Sequence, residues 1–418
     1  MGNARASFEC YKKPPLEIKV MLLKNCRYIV TQDCNRRILE NCDVLIEGNT
    51  IARMGKNLKN GRGEEEIDCS GKIVMPGIVN THTHLGMHSL RGRCDDSELF
   101  GWLSELEGYE KKLGAKEVKQ NTIAGIEESV RFGTTTVYDS YKFPHERVEA
   151  FEEIGMRALV SSTVRDERSF SESKKFLSGI KSGLVGGAVA ANSIYACDEE
   201  ILRKVIEFSE SKKFLRRIHV GETRKERFDT LKKTGKLAVE YLDSIGFLGQ
   251  NCLLVHCIWI TKGEIGRIAR TGAKVSHNPV SNMKLSSGGV MPLPEMLAQN
   301  VTVGLGTDSV ASNNNLDMFE EMKVAALLHK HHKWNAGAIS AQQVLDMATI
   351  EGAKCLGIEG IGSIEGEKKA DIITLEILRN LRPINDLVSN IVFAANGLNV
   401  CDVVIDGKII LENKEFVE

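Results

Sequence analysis

Two histidines separated by one residue, His82 and His84, directly follow an apolar segment of this chain. The β-branched residues just upstream, including Ile78 and Val79, predict a strand that emerges from a core. Side chains two residues apart on a strand project from the same face, so both imidazoles could bind one metal ion. A His-x-His pair alone is weak evidence for a metal site, and other segments must supply further ligands.

Polar residues also stand at the ends of four later apolar segments, and their types suit metal-assisted hydrolysis. A buried core histidine is the usual explanation for any single case, but the repetition at five segment ends favours a shared site. Three imidazoles and one carboxylate suit a divalent ion with an open position for water, whose pKa such an ion lowers to about 7. The later residues are His219, His256, His277 and Asp308.

Proton transfer has candidate residues close to these ligands. Glu222 lies three residues beyond His219 and could move a proton from the water to a ring nitrogen or a leaving group. The alternative is a surface helix carboxylate, because the charged run 224–226 follows. Asp308 could both bind the metal and accept the water proton, while His256 could orient the water by a hydrogen bond.

The segment 186–195, predicted to include the fourth strand, indicates one metal ion and not two. A second ion at such a site commonly needs a bridging carboxylate or a modified lysine from this strand, and the segment contains no Lys, Asp or Glu. Zinc is the favoured ion, with iron and manganese as alternatives, because nitrogen and oxygen ligands accommodate each of them. The candidate ligands are His82, His84, His219 and Asp308.

A barrel of alternating strands and helices would position these residues. Amphipathic stretches, such as 116–131 and 198–212, lie between most of the strand-like segments. Eight such units predict an α/β fold, a (β/α)8 TIM-type barrel over 74–361, with its active site at the carboxyl ends of the strands. The predicted strands are the segment ending at His84, then 134–139, 157–162, 186–192, 215–220, 252–257, 273–277 and 301–308.

Both chain ends carry a different pattern, in which short alternating runs are separated by turn residues. The similarity of 20–73 to 362–418 predicts a small β-sandwich domain that the two ends build together. Residues 1–19 are polar and predict a loose N-terminal extension, with Met21 as an alternative start of the protein.

Composition argues against several classes of function. A formal net charge of −1 and an isoelectric point near 6.8 give no basic field for a nucleic acid. The chain shows neither a long apolar run nor an apolar N-terminal signal segment, which argues against membrane insertion or secretion. Eleven scattered cysteines without a CxxC pair predict reduced, mostly buried thiols. We expect a cytoplasmic protein that acts on a small molecule, and homo-oligomer formation is left open.

Five motifs together resemble the amidohydrolase superfamily, and within it the branch of methylthioadenosine and S-adenosylhomocysteine deaminases. The resemblance covers about residues 20–418 and implies that the four candidate ligands hold one metal ion. It also implies that Glu222 is a proton shuttle that contacts the purine and that His256 orients the water. The motifs are HTHLGMHSLRG at 82–92, HVGE at 219–222, VHC at 255–257, SHNP at 276–279 and LGTD at 305–308.

The resemblance further implies residues for substrate binding. Glu110, after the first strand, matches a glutamate expected to hold ribose hydroxyls, and Arg168 matches an arginine that contacts the far end of the substrate. Trp102 and Tyr109 share this first loop and could cover the ligand or pack beneath the loop. Asn192 stands where the family usually has a substrate-binding histidine, and its amide still donates and accepts hydrogen bonds.

A second departure lies at Ser161 and Ser162, where the first substrate arginine of the family is absent. We expect a metal-dependent hydrolytic deaminase that releases ammonia from an adenine nucleoside, such as adenosine, 5′-deoxyadenosine, methylthioadenosine or S-adenosylhomocysteine. The two departures keep open an aminohydrolase of another ring (guanine, pterin or triazine) or a cyclic-amide hydrolase. A non-catalytic relative is less favoured, because such proteins usually lose metal ligands and none is missing from this sequence.

Other histidines receive a different interpretation. His329, His331 and His332 stand beside lysines and predict a solvated helix end whose cations complement the helix dipole, not a metal cluster. His277, within the SHNP motif, could support a ligand from behind instead of binding the metal.

Overall fold

The computed structural model describes residues 19–59 and 65–417. The predicted loose extension, apart from Lys19, lies outside the described residues. None of the helices in the described part of the chain combines the length and apolarity needed to cross a bilayer.

Strands form two separate sheets in the described residues. In chain order the strands are β1 (Val20–Val30), β2 (Ile38–Glu47), β3 (Thr50–Gly55), β4 (Glu65–Asp68), β5 (Lys72–Pro76), β6 (Ile78–Thr83), β7 (Thr134–Ser140), β8 (Arg157–Ser161), β9 (Thr163–Val164), β10 (Val185–Ser193), β11 (Leu215–Val220), β12 (Cys252–His256), β13 (Lys274–His277), β14 (Val303–Leu305), β15 (Ile372–Glu376), β16 (Val400–Ile405), β17 (Lys408–Glu412) and β18 (Glu415–Phe416).

Helices connect most of the strands of the second sheet and pack around it. They are α1 (Leu99–Glu110), α2 (Ala115–Arg131), α3 (Pro144–Ile154), α4 (Glu167–Gly179), α5 (Glu199–Lys212), α6 (Arg224–Thr234), α7 (Ala238–Ser244), α8 (Lys262–Thr271), α9 (Pro279–Lys284), α10 (Leu293–Ala298), α11 (Val310–Asn313), α12 (Met318–His332), α13 (Ala341–Met347), α14 (Ile350–Leu356) and α15 (Leu387–Phe393). Short 3-10 helices cover Leu85–Leu90, Arg379–Leu381 and Gly397–Asn399.

The second sheet is the predicted barrel. Its parallel strands run in the order β6, β7, β8, β10, β11, β12, β13 and β14, with the short β9 paired to β10. The ring closes where the Asp308 N–H donates to the His82 carbonyl oxygen at 2.9 Å. Each predicted strand segment overlaps one barrel strand, so the α/β (β/α)8 prediction is confirmed. Closure also brings the carboxyl ends of the strands to one mouth.

The first sheet confirms the small β-sandwich domain built from both chain ends. Its strand order is β18, β17, β16, β15, β5, β1, β2 and β3, with β4 beside β1. Strand β5 from the N-terminal segment pairs antiparallel with β15 from the C-terminal segment, from Lys72 opposite Glu376 to Pro76 opposite Ile372. β5 thus extends three residues past position 73. The exact limits of the two domains stay predictions.

Helix ends follow from local capping residues. The Asp198 carboxylate accepts from the Ile201 N–H at 2.8 Å and begins α5, as expected for an N-cap aspartate. Ser340 and Gln343 form a reciprocal capping box at the start of α13. These hydrogen bonds determine the residues at which α5 and α13 begin.

Candidate metal and proton-transfer site

Two barrel strands, β6 and β11, and the loop after β14 bring the predicted ligands together at the mouth. Nε2 of His82 and Nε2 of His84 each lie 3.4 Å from Oδ1 of Asp308. One ring nitrogen from each of His82, His84 and His219 lies within 4.8 Å of the others, and so do one ring nitrogen from each of His82 and His256 and a carboxylate oxygen of Asp308. His82 and His219 lie one residue before the ends of β6 and β11, and His84 directly follows β6. Asp308 lies three residues after β14 and is brought to the group by its bridge to Thr83, which closes the barrel.

Backbone carbonyl groups orient two of the imidazoles. Nδ1 of His219 donates to the Asn192 carbonyl oxygen at 2.9 Å, and Nδ1 of His84 contacts the Ser140 carbonyl oxygen. A ring that donates from Nδ1 keeps the Nε2 lone pair free for a metal ion. These rings are thus held in the tautomer and direction that metal binding requires.

The carboxylate of Asp308 is equally constrained. Its Oδ2 accepts from the Ser281 hydroxyl and its Oδ1 from the Ser309 N–H, both at 2.8 Å. Its φ of +63° lies in the left-handed region, a backbone conformation that L-residues adopt rarely and that is common at functional sites. The surrounding hydrogen bonds hold the carboxylate in this position.

Electrostatics favour the metal-binding protonation states. Burial lowers the pKa of His82 and of His219 well below the ordinary histidine value, and the nearby Arg217 charge lowers it further. Burial would raise the pKa of Asp308, but its hydrogen bond with His82 and the neighbouring imidazoles hold it well below the ordinary value. Neutral imidazoles and an ionised carboxylate are the forms that bind a divalent ion, so the donor set fits the predicted metal.

Arg217, which sequence reasoning missed, lies beneath this group. Its Nη2 is 3.1 Å from Nε2 and 3.2 Å from Nδ1 of His82, and it also contacts Nε2 of His219. The side chain is fully buried, and its Nε and Nη1 have no hydrogen-bond partner among the described residues. A guanidinium only donates, so Arg217 and a metal ion would compete for the same lone pairs. Its position two residues before His219, on the same strand face, was the available signal.

Glu222 is part of the buried site and is not a surface helix carboxylate. Its side chain follows β11, the residue is 5% exposed, and Oε2 lies 3.6 Å from Nε2 of His256. Burial raises the pKa of Glu222 well above the ordinary value, and the charges of Asp308 and Glu226 raise it further. The Asn282 amide donates to Nδ1 of His256 at 2.9 Å, which directs the other ring nitrogen, with its proton, toward Glu222.

A cavity of about 440 Å³ opens beside these groups. Its lining includes four of the residues predicted for substrate binding: Trp102, Glu110, Asn192 and Glu222. Glu110 accepts a hydrogen bond from the Tyr141 hydroxyl at 2.6 Å through Oε1. The Trp102 indole N–H donates to the Ala311 carbonyl oxygen at 3.2 Å, so its ring lines the cavity while its polar edge is already bonded.

Arg168 is not brought to this cavity. It lies in the first turn of α4, pairs with Glu172 at 3.0 Å, and its side chain is 88% exposed. Asp166 caps α4, and the helix therefore turns Arg168 outward, whereas Arg165 in the preceding loop lines the cavity. Arg165 also lines a second cavity of about 610 Å³ that shares Glu110 and Tyr141 with the first. Arg165 is therefore the arginine that lines this cavity. The sequence did not identify it, because the length of the loop before α4 could not be judged from the residues alone.

The histidine-rich helix end also differs from the prediction. His331 and His332 are exposed as expected, but His329 is fully buried. Its Nε2 lies 3.0 Å from Nε2 of His277, so the two rings share a hydrogen bond behind the barrel wall. The prediction failed because α12 continues to His332 and position 329 falls on the same face as the buried Ala325 and Ala326. His277 is thereby paired with a helix and is not among the grouped metal-ligating atoms.

The chain matches the family model described as amidohydrolase family over residues 73–410. A 5′-deoxyadenosine deaminase of Methanosarcina acetivorans is 38% identical over 405 residues, which cover 94% of this chain and 93% of that protein. A 5-methylthioadenosine/S-adenosylhomocysteine deaminase of Thermococcus onnurineus is 39% identical over 408 residues, 95% of each chain.

Solved structures agree with these sequence matches. An adenosine deaminase from Xanthomonas campestris with bound zinc superposes with a TM-score of 0.91 at 30% identity, covering 95% of this chain and 94% of that one. The family expected from the five motifs is confirmed, and with it a divalent-metal site. The chain belongs to the amidohydrolase family.

Proposed function

We propose that this chain is a metal-dependent hydrolytic deaminase that releases ammonia from an adenine nucleoside. The observation that carries the proposal is the convergence of a buried acid, Glu222, with the three imidazoles and the carboxylate of the metal group. The deaminase names of the two relatives and of the structural neighbour support it. The enzyme is a hydrolase acting on C–N bonds other than peptide bonds.

The metal ion would be held by His82, His84, His219 and Asp308. When bound, the ion supplies a Lewis acid that makes water acidic enough to act as a nucleophile near neutral pH. We favour zinc, because three imidazoles with one carboxylate suit it and the 30% identical neighbour contains zinc.

Three side chains would manage the protons of the reaction. Water adds to the amine-bearing ring carbon, the bond from that carbon to the exocyclic nitrogen breaks, and ammonia leaves. Glu222, kept in its acid form by burial, donates a proton to the adjacent ring nitrogen. Asp308 accepts one proton from the attacking water and returns it to the departing amine, and the remaining hydroxyl proton passes to Glu222 as the ring carbonyl forms, which restores the acid. His256, fixed by Asn282, donates from Nε2 toward the attacking oxygen.

The opposite side of the cavity would bind the nucleoside. Glu110 would accept from ribose hydroxyls with Oε2, because Oε1 already accepts from Tyr141. Asn192 and Trp102 would contact the base or the sugar, and Arg165 would face the group at the 5′ carbon. The 610 Å³ cavity beyond Arg165 gives room for such a group.

A deaminase of another ring is the second candidate, and one observation favours it. Asn192 lines the cavity where the family usually has a histidine, and a neutral amide presents both donors and an acceptor to the base. A guanine, pterin or triazine amine could satisfy these groups as well as adenine does.

Ammonia release from a substrate panel distinguishes the two candidates. Zinc-loaded protein would be supplied with adenosine, 5′-deoxyadenosine, methylthioadenosine, S-adenosylhomocysteine, guanine, a pterin and a triazine. Glu222→Gln protein, purified identically, controls for contaminating deaminases from the host. We expect turnover of at least one adenine nucleoside at a higher kcat/KM than any other compound. Silence on every adenine nucleoside would overturn the proposal.

A further inference from the structure

A second buried carboxylate, Glu226, accepts hydrogen bonds from the backbone at Glu222. The residue is 2% exposed and lies in the first turn of α6. Its Oε1 accepts from the Gly221 N–H at 3.0 Å, and its Oε2 accepts from the Glu222 N–H at 2.9 Å. Both oxygens are therefore committed to two consecutive backbone amides. The charged run 224–226 gave no sign in the sequence that Glu226 would be buried.

An equivalent glutamate at the start of α8 shows what ordinary capping looks like in this fold. Glu264 lies three residues after its N-cap, Thr261, and accepts from the Thr261 N–H at 2.8 Å, which completes a capping box. Glu226 also lies three residues after its N-cap, Thr223, but it reaches past that residue to the two amides before it. The departure directs the α6 carboxylate to the residue that would shuttle protons.

The same turn is held from its other side. The Gly221 carbonyl oxygen accepts from the N–H groups of Ile258 and Trp259 at 2.9 and 2.8 Å. Gly221 has a φ of +61°, and a Cβ there would lie 3.1 Å from Cγ2 of Ile260. A left-handed backbone and this close approach both favour glycine. The segment after β11 is thus clamped between Glu226 and the loop that follows His256.

Glu226 is a buried carboxylate that is held by backbone groups and not by a cation. No salt bridge to it occurs among the described residues, and burial raises its pKa to about 7 despite its backbone hydrogen bonds. A buried carboxylate without a cation is costly, and at both Glu226 and Glu264 two backbone N–H groups offset that cost, so the two residues differ in which backbone they hold. Its charge also acts on Glu222 and raises the pKa of that side chain.

We propose that Glu226 is a positioning residue that acts on the reaction through Glu222, by fixing its backbone and by placing a negative charge beside it. This inference rests on the proposed function, because it assumes that Glu222 is the proton shuttle. Glu226 is not itself a cavity-lining residue and is not among the grouped metal-ligating residues, and it contacts the cavity lining through the Glu222 backbone. Loss of the clamp should therefore change turnover more than substrate or metal binding.

A double-mutant cycle tests the proposal. In Glu226→Gln one amide oxygen can accept one N–H, but the new NH₂ group faces the other N–H, so the clamp is half lost. We expect kcat to fall about 10- to 100-fold, as for a catalytic group displaced by about 1 Å, with KM changed less than about threefold and metal content unchanged. In the Glu222→Gln background the same substitution should cause no further loss beyond about twofold, because its effect acts through Glu222.

Two further variants separate positioning from folding. Glu264→Gln removes the matched buried carboxylate at α8 and should lower thermal stability while leaving kcat unchanged. Glu226→Asp retains the charge on a shorter side chain and should recover part of the lost kcat, and it also provides a measurable variant if Glu226→Gln does not fold. The inference is overturned if the losses from Glu222→Gln and Glu226→Gln multiply, or if kcat survives both changes at position 226. Full activity of Glu222→Gln would instead overturn the shuttle assignment in the proposed function.

Discussion

The cavity has two walls that differ in how they are built. The strand wall consists of residues at or next to barrel strand ends, His82, His84, His219, His256 and Asp308, with Glu222 just after β11. The loop wall consists of Trp102 and Glu110 on α1 and Arg165 before α4. Strand-wall groups are oriented by backbone carbonyls and buried partners, whereas Arg165 is exposed. The chemistry therefore lies on the strand wall. Predicted substrate contacts lie on both walls, because Asn192 is on β10, and loop changes can alter only those on the loop wall.

The largest effect should come from removing a strand-wall ligand. His219→Ala deletes one imidazole of the metal group, and we expect metal content and ammonia release to fall by more than the roughly 10- to 100-fold typical of lost outer-sphere partners. Elemental analysis of the purified protein and an ammonia assay measure both. His331→Ala, at the exposed end of α12, is the matched control and should change neither. Full metal content in His219→Ala would remove this residue from the ligand set.

Removing the acid should be nearly as severe but should leave the metal. Glu222→Gln keeps the shape of the side chain and loses its proton, so kcat should fall about 10²- to 10⁴-fold. Metal per chain and the melting temperature should stay close to those of the unaltered protein. Loss of metal together with activity would mean that Glu222 belongs to the ligand set and is not a separate proton shuttle.

The loop wall should show smaller, substrate-dependent effects. Arg165→Ala should raise KM about tenfold or more for a nucleoside with an anionic 5′ tail, since hydrogen bonds to charged groups contribute about 1.5–3 kcal/mol. It should leave KM for 5′-deoxyadenosine nearly unchanged. Arg168→Ala is the matched control, because Arg168 is exposed and paired with Glu172. Steady-state kinetics on both substrates would contradict the placement of these arginines if Arg168→Ala had the larger effect.

The smallest effect concerns the region behind the strand wall. Burial lowers the pKa of His329 to about 4. The unfolded chain therefore takes up a proton first as pH falls, so the stability that neutral His329 provides is present above its ordinary pKa and is lost toward pH 4. Between about pH 7.5 and pH 5 we expect a loss on the order of 2 kcal/mol from this residue. Urea unfolding at both values should show a smaller loss in His329→Gln, whereas His331→Gln should match the unaltered protein.

The strand wall could be predicted from the sequence because a closed barrel fixes its geometry. Each ligand ends an apolar run, and a parallel barrel places all such ends at one mouth, so His219 and Asp308 needed no knowledge of loop paths. The same reasoning failed where a loop or a helix face decides the position. Arg168 was predicted and Arg165 was missed, because sequence alone does not show where α4 begins. His329 was interpreted as solvated because lysines and histidines surround it in sequence, although helix geometry turns it inward. The buried role of Glu226 gave no sequence signal for the same reason.

Zinc titration of the metal-free protein tests the central claim most directly. Increasing zinc would be added to protein stripped by a chelator, and ammonia release from 5′-deoxyadenosine would be measured at each step. We predict no release without metal, a linear rise with added zinc, and a plateau at one ion per chain. Release by the metal-free protein, or no release from any adenine nucleoside at one ion per chain, would contradict the account.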